Sequence, residues 1–78
     1  MPSQIAQKAI DILSPSMGEV WARAKVESAC IWIGTDIEIL SEYELPGFVE
    51  VFEQSCRRSL GSHTAQNIKQ QLLNSLKN

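Results

Sequence analysis

Residues 16–33 read SMGEVWARAKVESACIWI, and the fold turns on how that stretch is wound. At 100° per residue, Met17, Val20, Trp21, Ala24, Ser28, Ile31 and Trp32 share one helical face, with the two indoles, eleven residues apart, nearly in line. Ala22, Val26, Ala29 and Ile33 form a second apolar line almost opposite the first. Glu19, Arg23, Lys25 and Glu27 fall on the flanks between them, and no charge follows Glu27. A helix apolar on two sides is buried on two sides, so it is either the central helix of the domain or its second face meets another molecule. Ser16 and Glu19 have the S-x-x-E spacing of a capping box, which predicts the helix start.

A competing fold shares part of this stretch. Cys30-Ile31-Trp32-Ile33 and Ile37-Glu38-Ile39-Leu40, separated by Gly34-Thr35-Asp36, have the β-branched content and turn chemistry of a hairpin. That alternative makes the chain α+β, with a small hairpin around residues 30–40. The helical reading is favoured by the long preceding pattern and by Gly34, which suits a helix C-terminus.

Outward from the centre the pattern stays helical. Ser3 to Leu13 places Ile5, Ala6, Ala9, Ile10, Ile12 and Leu13 on one arc, and Ser14-Pro15-Ser16 is expected to break it, because proline disfavours helix in the residue before it. Thr35 to Tyr43 reads as a short helix, opened by a Thr35–Glu38 capping box and presenting Ile37, Leu40 and Tyr43. From Pro46 to Leu60, Phe48, Val49, Val51, Phe52, Cys56 and Leu60 oppose Glu50, Glu53, Gln54, Arg57 and Arg58. Gly61 closes that helix and Ser62 caps the last one, His63 to Lys77, whose apolar side is Ala65, Ile68, Leu72, Leu73 and Leu76. Lys69 falls inside that arc and must extend its ammonium outward along its stem. The expectation is an all-α domain over residues 1–78, a compact bundle of four main helices plus one short helix.

Composition limits the function classes. Seven Lys+Arg against nine Asp+Glu give a net charge of -2, which argues against gripping nucleic acid or an anionic membrane through bulk positive charge. No apolar run approaches the roughly 18 residues of a membrane span, and MPSQIAQKAIDIL lacks the basic-then-apolar layout of a signal peptide, so a cytoplasmic location is expected. Cys30 and Cys56 sit in apolar surroundings and read as reduced core thiols, although the following Arg57 and Arg58 leave a reactive Cys56 open. His63 is the only histidine, and no CxxC or HxxxH spacing exists, so no metal site is expected. No catalytic set, nucleotide loop or cofactor motif is present, and none of these functions is assigned.

Two constellations remain. Asp36, Glu38, Glu42 and Glu44 crowd nine positions, but apolar residues interrupt any calcium-loop spacing, leaving a solvated capping face. Arg57 and Arg58, with Lys69, are the candidate nucleic-acid contacts, and the amide-rich helix after them supplies Gln66, Asn67, Gln70, Gln71 and Asn74. The expected function is a non-enzymatic protein–protein interaction module, a small regulatory or adaptor protein acting as a homodimer and engaging a further protein partner. The expected interface is Ala22, Val26, Ala29 and Ile33, small enough for close helix approach, together with Trp21 and Trp32 as aromatic anchors. The alternative is a small DNA-associated regulator using residues 57–74.

Overall fold

The computed structural model describes residues 1–77 and contains four helices: α1 (Gln4–Met17), α2 (Glu19–Trp32), α3 (Leu45–Leu60) and α4 (Ser62–Ser75), with a 3-10 turn at Glu42–Glu44. Among the described residues there is no strand, so the hairpin alternative for residues 30–40 is set aside. Each helix touches its neighbours in a closed ring, α1 on α2 and α4, α3 on α2 and α4. The principal extents are 27 × 25 × 19 Å.

α1 begins where Ser3 Oγ accepts the Ala6 amide at 3.2 Å, and it buries Ile5, Ala6, Ala9, Ile10 and Leu13. It does not stop at Pro15. The proline stands in the last turn with its ring exposed, where it forfeits only the bond its amide would have made back to Asp11. Ser14 Oγ donates to the Ile10 carbonyl at 2.7 Å, and the Gly18 amide donates to Ser14 at 2.7 Å. The chain turns instead at Gly18, whose φ of +88° suits a residue without Cβ. Gly18 is at once the end of α1 and the cap of α2, so Ser16 lies inside α1 and the expected Ser16–Glu19 box does not form.

α2 ends in a Schellman motif. The Thr35 amide donates to Cys30 at 2.9 Å and the Gly34 amide to Ile31 at 3.1 Å, with Gly34 at φ +81°. These bonds close off the carbonyls that a continuing strand would have used. Residues 36–40 are then a turn organised by Asp36, whose carboxylate accepts the Glu38 and Ile39 amides at 2.8 and 3.2 Å. The turn drops Ile37 and Leu40 into the core, and the Ile37 carbonyl accepts the Ser3 amide at 2.8 Å, anchoring it to the start of α1. The expected short helix over Thr35–Tyr43 is thus replaced by this turn and the 3-10 turn. A capping box joins Ser41 and Glu44 at the latter, with the Ser41 amide held at 2.9 Å by the Glu44 carboxylate. Tyr43, expected on the inner face, is 98% exposed.

α3 starts with Pro46 in its first turn and buries Phe48, Val49, Phe52 and Cys56. The Phe48 and Phe52 rings stack with centroids 5.3 Å apart and planes 13° from parallel. Lys25 Nζ, midway along α2, lies against Ser55 late in α3, and Ile33, just past the end of α2, lies beside Gly47 at the start of α3, so the two helices run antiparallel. Gly61 ends α3 and caps α4, which makes Ser62 the first helical residue rather than the cap. α4 buries Ala65, Ile68 and Leu72, and Lys8 Nζ donates to the Ser75 carbonyl at 2.7 Å, tying its end to α1. No helix among the described residues is long and apolar enough to cross a membrane.

Candidate interaction surface on the second helix

The two apolar lines of α2 have opposite fates. Ala22, Val26 and Ala29, expected at a subunit contact, are buried within the chain's own core, and Ile33 is half-buried and packed against it. The physical reason is fit. Alanine and valine let α1 and α3 approach α2 closely, and Cys30 on the same side is also fully enclosed. Among the described residues the largest fully enclosed side chains are Phe48, Phe52, Leu13 and Leu72, all supplied by the other three helices.

The opposite line faces solvent. Trp21 is 69% exposed and Trp32 78%, flanked by Val20 at 80% and Ile31 at 72%, with Ala24 and Ser28 exposed between them. At 1.5 Å per residue the indoles stand about 16 Å apart along the axis, so the strip is bulky at its ends and shallow in the middle. The other helices present ordinary polar outer faces: Gln4, Gln7 and Asp11 on α1, Glu50, Gln54 and Arg57 on α3, Gln66, Asn67 and Gln70 on α4. Among the described residues only α2 turns an apolar helix face outward. Val20 and Ile31 belong to this surface although only the indoles were singled out as anchors; their place on the tryptophan face was the signal that identifies them.

Charges border the strip on both edges. On one, Arg23 pairs with Glu27 at 3.7 Å. On the other, Lys25 Nζ donates to the Ser55 hydroxyl at 3.1 Å and carbonyl at 3.3 Å. There Trp32 borders a groove of about 180 Å³ between α2 and α3, lined also by Ser28, Ala29, Val51, Gln54, Ser55 and Arg58.

The remaining candidates are spread apart. Arg57 and Lys69 do come together, but on one carboxylate, Glu53, at 3.1 and 3.4 Å, while Arg58 belongs to the groove on the α2 side. Arg57 and Lys69 thus share one carboxylate within the chain, and the three cations do not line up as one rim for phosphates. The acidic window is also committed locally. Asp36 caps its turn, Glu38 meets the N-terminal ammonium at 3.2 Å, and the Ser41 amide holds the Glu44 carboxyl below its ordinary range. His63 is exposed in the first turn of α4. No group of three or more His, Cys, Asp or Glu side chains among the described residues is placed to hold a metal ion.

Cys30 and Cys56 are free thiols and both buried. Burial, followed by the carboxylates of Asp36, Glu44 and Glu27, pushes the Cys30 thiol up to about 11. Burial also raises Cys56, against the opposing pull of Lys25 rather than of the adjacent arginines. The thiolate is the reactive form, so both are expected to resist alkylation in the native state at neutral pH. Labelling by iodoacetamide should proceed only at the rate of global opening, accelerating through the urea transition; burst labelling of either thiol in the folded chain contradicts this. No protein-family model, no curated protein and no solved structure matches the chain.

Proposed function

We propose that the chain is a non-enzymatic protein–protein interaction module, regulatory or adaptor-like, that works as a homodimer through the outer face of α2. The observation that carries this reading is the uncharged strip Val20, Trp21, Ala24, Ser28, Ile31 and Trp32, exposed on a helix whose other apolar side already fills the core. The four large side chains expose on the order of 500 Å², and the flanking residues extend that toward the roughly 800 Å² per partner of a standard interface.

A second copy is the occupant because the strip is complementary to itself. Two α2 helices packed antiparallel about a two-fold axis near residue 26 bring Trp21 to Trp32 of the partner subunit and Val20 to Ile31 of the partner subunit. Ala24 and Ser28 sit at the crossing, where small side chains allow close approach. On the rim, Arg23 comes within reach of Glu27 of the partner subunit. Such a contact is isologous and closes at two copies, without propagating into a filament. A DNA-associated role through residues 57–74 has weaker support, since Glu53 already answers Arg57 and Lys69.

Sedimentation equilibrium over a wide concentration range tests the reading. The wild-type chain is expected to sediment as a dimer, and the indole emission to shift to shorter wavelength as the dimer forms. Ile31→Glu places a carboxylate twice in the contact and should weaken association by about 100-fold or more while leaving the helical circular dichroism unchanged. A wild-type chain that stays monomeric at the highest concentration overturns the proposal.

A further inference from the structure

We infer that the groove between α2 and α3 beside Trp32 is a docking site for an acidic, partly apolar peptide segment of a protein partner. The groove is lined by the apolar Ala29, Val51 and Trp32, and its polar walls are Ser28, Gln54, Ser55 and Arg58, with the Lys25 ammonium at Ser55. Every hydrogen-bonding group on those walls can donate, and no carboxylate lines the groove.

The charge distribution makes this place unusual. The chain has nine acids to seven bases, yet Arg58 and Lys25 have no ion-pair partner among the described residues. The contrast with Arg57 is direct, because that neighbour is drawn to Glu53 on the far side of α3. Two cations left unanswered beside an exposed indole form a positive, partly apolar slot on a chain that is negative overall. A segment that lays one aliphatic side chain against Val51 and Trp32 and turns carboxylates toward Arg58 and Lys25 matches it in shape and sign. A nucleic acid would meet only two cations and the repulsion of the net negative charge. The groove shares Ser28 and Trp32 with the strip assigned to the second copy and lies along its α3 edge, so the titration is made on the dilute, monomeric chain.

The probe is a short synthetic amphipathic Leu/Glu peptide, titrated into the full chain by calorimetry and by following the Trp32 indole N–H resonance. The Leu/Lys counterpart and a DNA duplex serve as comparison arms. Saturable binding of the Leu/Glu peptide with a shift at Trp32 is expected, weakening as salt rises. Arg58→Glu should reduce affinity about tenfold, with Arg58→Gln intermediate, because the charge faces the ligand. Arg57→Gln should change it by less than about twofold, since its charge is directed at Glu53. Circular dichroism confirms that each variant is folded. Absence of saturable binding, equal binding of the Leu/Lys peptide, preference for the duplex, or indifference to both Arg58 variants overturns the inference. Failure here leaves the sedimentation result untouched, so the groove and the dimer are judged separately.

Discussion

Val26→Glu is expected to abolish the folded state. Val26 is fully buried at the centre of the inner line of α2, with Ala22 and Ala29 a turn away on either side and Cys30 next to it on the same face. No basic side chain reaches that place: Lys25 is held on Ser55, and Arg23 is outside, paired with Glu27. A carboxylate there either ionises without a partner or protonates and remains poorly hydrogen-bonded, at a cost of several kcal/mol in both cases. The two added heavy atoms also overpack a fully enclosed position, which adds about 1–3 kcal/mol. At 0.05–0.15 kcal/mol per residue the whole domain is stable by only about 4–12 kcal/mol, so little or nothing is left. Loss of cooperative thermal unfolding and of near-ultraviolet tryptophan signals is the readout. The paired control is Gln66→Glu, on the exposed outer face of α4, which should melt within a few degrees of wild type. A Val26→Glu chain that stays folded and merely dissociates would return this line to the subunit contact and place the indoles in the wrong role.

That comparison also locates what the sequence could and could not disclose. The inner faces of α1, α3 and α4 were legible, because each has one apolar arc and a polar one, and a single amphipathic stripe can be buried in only one way. α2 was ambiguous for a definite cause: two apolar lines satisfy the same periodicity, and periodicity carries no information about which line fits between neighbours. Side-chain size decided it. The line of alanine and valine went inward because closely packed helices admit it, and the line with two indoles went outward because a core of 78 residues already holding Phe48 and Phe52 does not.

The misread boundaries have a common origin in local bonding that composition does not reveal. Pro15 looked like a terminator, but a proline in the last turn removes one bond and leaves the rest of the helix intact, while Gly18 three residues later takes the positive φ that actually turns the chain. Residues 35–43 looked helical because Thr35–Glu38 has the spacing of a capping box. The box that forms is Ser41–Glu44, and Asp36 instead captures two amides of its own turn. Competing side chains with the same capping chemistry cannot be ranked without knowing that Ile37 and Leu40 must both reach the core.

Phe52→Ala is the second large effect expected. Phe52 and Phe48 are both fully buried on consecutive turns of α3, their rings stacked with a 5.3 Å centroid separation, and they are the two largest enclosed side chains among the described residues. Truncation removes the transfer free energy of one ring, leaves a cavity that helices pinned by Gly18 and Gly61 turns cannot close, and strips Phe48 of its stacking partner. A Phe→Ala change in a core costs about 3–5 kcal/mol, and for a domain of this size each kcal/mol lowers the melting temperature by about 4–8 °C. A fall of tens of degrees is therefore expected, with the urea midpoint reduced and the slope unchanged, since the surface exposed on unfolding is nearly the same. Phe52→Leu should recover more than half of the loss, because it refills much of the void while still lacking the ring. The experiment has to be run at several protein concentrations. If α2 pairs with a second copy, association stabilises the folded state by mass action, and the wild-type melting temperature rises with concentration. Phe52→Ala should keep that concentration dependence while shifting the whole series downward, because its deficit lies inside the subunit. Ile31→Glu should do the reverse, flattening the dependence with little change in the dilute limit.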